Sequence, residues 1–189
     1  MKLKLLIAAV AIVVVGCKAQ SNDTAPSVTN TWLDKPAAEQ AQAIRNGTLT
    51  SEQLVTGYLA RIEERDKKVN SILVLNSNAI AQAKAADEQA QKGTFTGPLH
   101  GIPVLLKDNI EASELPTTAG SMALVNNRTG RDAPIVANLK AAGAIILGKT
   151  NLSEWANFRS ESSISGWSAV GGLTRNPHLL SRTACGSSS

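Results

Sequence analysis

Leu99-His100-Gly101-Ile102-Pro103-Val104-Leu105-Leu106-Lys107-Asp108-Asn109 is the stretch that decides how this chain folds. Residues 102–106 are uninterruptedly apolar, follow the turn signals Gly97-Pro98 and Gly101, and stop at a charged pair. A strand covered on one face only would alternate polar and apolar, so this run reads as a buried strand. Pro103 is tolerable near its start. Downstream, Ala144-Ile145-Ile146-Leu147 is a second run of the same kind, ending at Gly148-Lys149. Between the two, Asp132 and Pro134 open a helix through about Ala142, with Ile135, Val136 and Leu139 on one face and Gly143 as its stop.

Upstream, Asp34 caps and Pro36 opens a short helix to about Arg45, closed by Asn46-Gly47. Thr50-Ser51-Glu52-Gln53 is a capping box, and Leu54, Val55, Tyr58, Leu59 and Ile62 recur at helical spacing, predicting a helix to about Lys67. Residues 72–75 read as a short strand. Residues 78–92, rich in Ala, Gln and Lys, read as a helix stopped by Gly93. Thr150 or Asn151 caps a further short helix over 152–157, and residues 158–186 form a Ser-, Gly- and Asn-rich stretch without period. Strands alternating with helices predict an α/β fold, a mixed and largely parallel sheet flanked by helices.

Length and composition bound the function. The 189 residues allow one domain. With 43% hydrophobic and 18% charged residues the chain is of ordinary globular composition, and 3% aromatics argues against a stacking platform for nucleic acid. The formal charge is +4, but two of the basic residues, Lys2 and Lys4, belong to the first four positions. No nucleic-acid partner is expected on that footprint. Lys2 and Lys4 precede an apolar run at 5–15 that is too short to span a bilayer and suits a signal peptide. It ends Val14-Val15-Gly16-Cys17, which resembles the lipobox of bacterial lipoproteins. The expectation is a signal peptide at 1–16, a lipidated Cys17 with a polar tether at 17–31, and a folded body at 32–189. The body would then sit at the cell envelope, and Lys18 after Cys17 leans toward the outer membrane facing the periplasm. A plain secretory signal cleaved near Gly16 and an uncleaved anchor are the alternatives. With Cys17 so used, Cys185 has no intramolecular partner; two His and one free Cys make no metal cluster, and no cofactor is expected. His100 and His178 sit in turn-like contexts that favour structural roles.

Lys107 and Lys149 each end an apolar run. Either could snorkel to solvent, and either could be a desolvated amine serving as a general base. Composition does not choose between the roles or between the lysines. Gly186-Ser187-Ser188-Ser189 taken alone is as compatible with a linker as with a site. There is no Gly-x-Ser-x-Gly elbow, so hydrolysis would need a Ser–Lys arrangement.

Three ordered blocks resemble the amidase signature family. These are residues 99–109, Gly148-Lys149-Thr150-Asn151-Leu152-Ser153-Glu154-Trp155-Ala156-Asn157, and Arg182-Thr183-Ala184-Cys185-Gly186-Ser187-Ser188-Ser189, with the turn Arg175-Asn176-Pro177 before the last. The resemblance runs over about residues 33–189 and implies the amidase signature fold. It also implies hydrolysis of carboxylic amide C–N bonds by a Ser–cis-Ser–Lys triad. The matching lysine is Lys107, neutral at rest. Ser187 matches the bridging serine, after a cis Gly186–Ser187 bond costing about 3 kcal/mol. Ser188 and Ser189 would pack around it, and Lys149 and Ser153 would be structural or lining. Cys185 stands where the family usually has Gly, as a tolerated variant or a reactive thiol. The family's nucleophilic serine lies a couple of dozen residues beyond the position of Ser187, in a Gly-Gly-Ser segment that also forms the oxyanion hole. The expectation is therefore an N-terminal portion of an amidase that lacks its nucleophile and is inactive as it stands.

The substrate implied is a small or peptide amide, and residues 151–160 lean toward peptide-amidase-like members. An envelope location argues against the relative that amidates glutamyl-tRNA. Two other readings stay open: a non-catalytic envelope lipoprotein, and a small Ser–Lys hydrolase using Ser187 or Ser188 as its own nucleophile.

Overall fold

The computed structural model describes residues 31–188. The elements are α1 (Ala37–Arg45), α2 (Ser51–Val69), β1 (Ile72–Leu75), α3 (Ala79–Gln91), β2 (Pro103–Lys107), α4 (Pro134–Ala141), β3 (Ile145–Thr150), and a small pair, β4 (Trp167–Ser168) and β5 (Gly172–Leu173). The main sheet has the order β1-β3-β2, with β2–β3 parallel and β1–β3 antiparallel, so it is mixed.

Strand β3 is the centre of the molecule. Ile145 and Leu147 pack with Val55, Ala79 and Ala83 of α2 and α3 on one face. Ile146, between them, packs with Leu106, Ala112, Leu115 and Val136 on the other, the side of α4. That is the strand alternation of period two, with apolar residues required on both sides because helices cover both. A third cluster joins α1 and the start of α2 to Leu33, Leu49 and Ile102.

The capping box at α2 forms as the sequence predicts. The Thr50 hydroxyl accepts from the Gln53 N–H at 3.1 Å, and the Gln53 side chain accepts from the Thr50 N–H at 3.0 Å. The Asp87 carboxylate accepts from the Ser51 and Glu52 N–H groups, fastening α3 to the same helix end. His100 has the structural role expected: it is buried, its Nδ1 accepts from the Thr96 N–H, and its Nε2 donates to the Ala86 carbonyl.

Several expectations are corrected. Asp34 does not cap α1; the N-cap is Pro36, without a side-chain bond, and Asp34 pairs with Arg61 at 2.8 Å. Pro134 opens α4 as expected, but Asp132 lies before its N-cap, Ala133, and takes no part in the helix start. Its carboxylate accepts from the Ser113 N–H and pairs with Lys140, itself paired with Glu114. Ile135 is exposed, so the buried face of α4 rests on Val136 with Leu139 beside it. Strand β2 is not buried along its length: among the described residues it has one neighbour in the sheet, and Leu105 is exposed while Leu106 is covered. Residues 152–157 are not a helix. Only a 3₁₀ turn, Glu154–Asn157, forms, and Trp155, Ala156 and Asn157 all have positive φ. Neither Thr150 nor Asn151 caps it; Asn151 is committed to other loops. Cys17 and the expected signal peptide lie outside the described residues. Among the described residues, no helix is long and apolar enough to cross a membrane.

Candidate active site

Lys107 is the last residue of β2, in register with Thr150 of β3. The parallel pairing therefore carries the two lysine-bearing segments to the same end of the sheet. There the chain of 175–188 passes back across it, and the Lys107 amine meets the serine run. Its Nζ donates to Ser187 Oγ at 3.2 Å and to Ser188 Oγ at 3.0 Å. Two residues eighty positions apart, singled out by resemblance, are thus in hydrogen-bond contact. Ser188 is thus a second partner of Lys107. Its adjacency to Ser187 was the only signal in the sequence.

The approach to Ser187 is a left-handed turn. Cys185 has φ 64° and Gly186 φ 83°. Cys185 thus adopts a conformation that costs an L-residue about 1–2 kcal/mol and costs glycine nothing. Its thiol is exposed and unpaired. No peptide bond among the described residues is cis, which corrects the expected cis Gly186–Ser187 bond. A cis bond before a non-proline persists only where surrounding contacts over-determine it. Here both Cys185 and Gly186 are exposed, and nothing lies within 4 Å of where a Gly186 Cβ would stand.

Beneath the contact lies a buried polar network. Asp108, directly after Lys107, is 1% exposed. Its Oδ2 accepts from the Thr118 N–H at 3.1 Å and from the Thr118 hydroxyl. Its Oδ1 faces Lys149 Nζ at 3.2 Å. Lys149 is 0% exposed and also donates to the Pro116 carbonyl at 3.1 Å and to Thr117 Oγ1 at 3.0 Å. Burial drives the Lys149 pKa below the ordinary lysine value of 10.5, with the Asp108 carboxylate opposing. With its donors committed to Asp108, Pro116 and Thr117, Lys149 is structural, as the sequence reading had it. Asp108, Thr117 and Thr118 were not singled out in the sequence, although Asp108 stands beside Lys107 in the opening block. Ser153 is also buried: it donates to the Gly186 carbonyl at 2.9 Å and accepts from the Gly166 N–H at 2.8 Å.

Among the described residues no cluster of three or more His, Cys, Asp or Glu could hold a metal. What the arrangement can do is move protons. An amine and two hydroxyls within hydrogen-bond reach form a relay in which each hydroxyl can accept and donate.

The chain as a whole is similar to several known proteins. Residues 53–189 match the sequence profile of the Amidase family. A chain from Arabidopsis thaliana named as a probable amidase is 47% identical over 150 residues, 78% of this chain and 29% of that one. A glutamyl-tRNA(Gln) amidotransferase chain from Streptomyces avermitilis is 41% identical over 152 residues, 80% of this chain and 29% of that one. The X-ray structure of native peptide amidase from Stenotrophomonas maltophilia superposes with a TM-score of 0.80 at 47% identity, covering 83% of this chain and 33% of that one. The chain thus spans about a third of the length of these relatives. On the profile match over most of its length, the identities and the shared mixed α/β fold, this chain belongs to the Amidase family.

Proposed function

We propose that these residues supply the base and the bridging hydroxyl of an enzyme that hydrolyses amide C–N bonds. The observation that carries this is the Lys107–Ser187 contact at 3.2 Å, with Ser188 alongside. In this reading a serine hydroxyl from a segment outside residues 1–189 attacks the amide carbonyl. Its proton passes to Ser187 Oγ as Ser187 hands its own proton to the Lys107 amine. The relay then runs backward: the leaving nitrogen is protonated, the C–N bond breaks and an acyl-enzyme ester remains. Water attacks the ester, its proton taking the same route, and the acid departs.

The substrate class we propose is a peptide amide, supported by the 47% identity to a peptide amidase. We further propose that Cys17 carries lipid and holds the body at the bacterial envelope, facing the periplasm. That rests on the apolar run at 5–15 followed by Gly16-Cys17. Blocking lipoprotein signal processing should change the protein's mass, and an unchanged mass refutes the anchor. For the catalytic reading, Lys107→Ala is tested in a protein that continues through a Gly-Gly-Ser segment. Turnover of a peptide amide should fall by about 10³-fold, in the range of a lost acid–base group. Turnover within a few-fold of the parent would show that Lys107 is not the base.

A further inference from the structure

Alternate residues leaving β3 each reach a different loop. Lys149 holds Asp108 and the carbonyl of Pro116. Asn151 donates to the Gly172 carbonyl and to Thr174 Oγ1 and accepts from the Ser168 hydroxyl. Ser153 holds Gly166 and Gly186. All three side chains are at most 1% exposed. The third of them touches the peptide unit that carries Ser187. The Ser153 hydroxyl donates to the Gly186 carbonyl, 2.9 Å away. The orientation of that carbonyl sets the plane of the Gly186–Ser187 peptide and hence the direction in which Ser187 leaves the backbone. The hydroxyl is itself immobilised, because it accepts from the Gly166 N–H at 2.8 Å while Thr174 N–H closes onto the Gly166 carbonyl at 2.8 Å.

We propose that Ser153 is a positioning residue for the Lys107–Ser187 contact. It does not touch the reacting groups. It fixes the Gly186 carbonyl, so that Ser187 Oγ is held against Lys107 Nζ, which β2 presents from the other side. This rests on the assignment of Lys107 and Ser187 above, but its test reads their contact rather than turnover.

The test is the acylation rate of Lys107 by trace acetic anhydride, scored by peptide mass spectrometry against the exposed Lys84 as internal reference, over a range of pH. Removing both acceptors, in Ser187→Ala/Ser188→Ala, should raise the relative rate of Lys107 about fivefold, the worth of a modest hydrogen bond. Ser153→Ala should raise it by a similar factor in the folded protein, with a lowered thermal midpoint because the Gly166 N–H loses its acceptor. Adding Ser153→Ala to the double variant should raise it no further. Should Ser153→Ala not fold, Ser153→Cys carries the test, since a thiol is near in size and a weak donor. A folded Ser153 variant with the parental Lys107 rate overturns the positioning role and leaves the catalytic reading standing. An unchanged rate in Ser187→Ala/Ser188→Ala instead removes the Lys107–serine contact itself, and both readings fall.

Discussion

Lys149→Met is the perturbation whose outcome follows most directly from the geometry. Methionine fills nearly the same volume, so the change removes charge and donors and leaves packing largely intact. Three bonds go: to Asp108 at 3.2 Å, to the Pro116 carbonyl at 3.1 Å and to Thr117 Oγ1 at 3.0 Å. Breaking a buried pair from one side costs about 3–5 kcal/mol, chiefly for the stranded charge. Asp108 keeps both bonds from Thr118, which softens that loss, while the orphaned Pro116 carbonyl adds about 1 kcal/mol. The expected cost is about 4 kcal/mol, a large share of the 5–15 kcal/mol that stabilises a typical domain. Urea unfolding followed by circular dichroism measures it. Asp108→Asn placed in the same background should recover about 2 kcal/mol, because the amide no longer needs a counter-ion and Thr118 can still bond it. A cost below about 1 kcal/mol for Lys149→Met, or a coupling within about 0.5 kcal/mol of zero, would refute the claim that this pair is a buried, interacting unit. The pH dependence is a separate check on the same residue. Burial lowers the folded pKa of Lys149 below 10.5, against the opposing Asp108, so between that folded value and 10.5 the unfolded chain holds a proton the native chain has released. Native stability therefore rises with pH through that window, and Lys149→Met should flatten the rise.

Gly148→Ala should destabilise by about 2–3 kcal/mol in the same denaturation assay. A Cβ there would stand 2.4 Å from the Val74 carbonyl oxygen, across the β1–β3 pairing, and backbone on both sides leaves no room to yield. Thr50→Ala should cost about 1 kcal/mol through the lost capping box, seen as a lower urea midpoint with an unchanged slope. Lys140→Met tests the clamp between α4 and the loop after β2. Desolvation opposes the charge on both partners, but the bonds outweigh it: the Ser113 N–H and Lys140 hold Asp132 below 3.8, and Glu114 and Asp132 hold Lys140 above 10.5. The clamp's stability, about 1 kcal/mol, is therefore present between those values. It is lost as pH falls through the folded Asp132 value or rises through that of Lys140, so urea midpoints of parent and variant should converge at both extremes.

How far the sequence could be read depends on what kind of interaction decided each element. Helix α2 was legible because its start signal is local: Thr50 and Gln53 cap each other whatever the rest of the chain does. Strand β3 was legible because both of its faces are covered, and continuous apolarity is the signature of that environment. The same signature misreads β2. Its residues are as apolar as those of β3, but the described residues supply a sheet neighbour on one side only, and Leu105 is left exposed. Asp34 was misread as a cap, and Asp132 as part of the opening of α4, for a related reason. An acidic residue ahead of a helix can serve the helix or an ion pair, and here Arg61 and Lys140, distant in sequence, take it. The 3₁₀ turn at 154–157 misleads through its composition, since nothing in Glu-Trp-Ala-Asn announces three successive positive φ values.

The candidate site divides along the same line. Lys107 and Ser187 could be paired from the sequence only by resemblance, since no pattern links residues so far apart. What was hidden is the polar layer that sets their geometry. Lys149 closes a strand run in the sequence, while Asn151 and Ser153 fall where a cap and the first turn of a helix are expected, and in a helix residues two apart do not share a face. In the extended conformation the chain adopts, the alternation is what lets one strand exit grip Asp108, the loop of 166–174 and the Gly186 carbonyl in turn. Buried polar side chains of this kind are costly unless fully bonded, so each must find its partners or destabilise the fold. That requirement ties the stability of the sheet end to the alignment of the Lys107–Ser187 contact. Substitutions in this layer are therefore expected to be felt twice, once in the unfolding free energy and once in the behaviour of a lysine they do not touch.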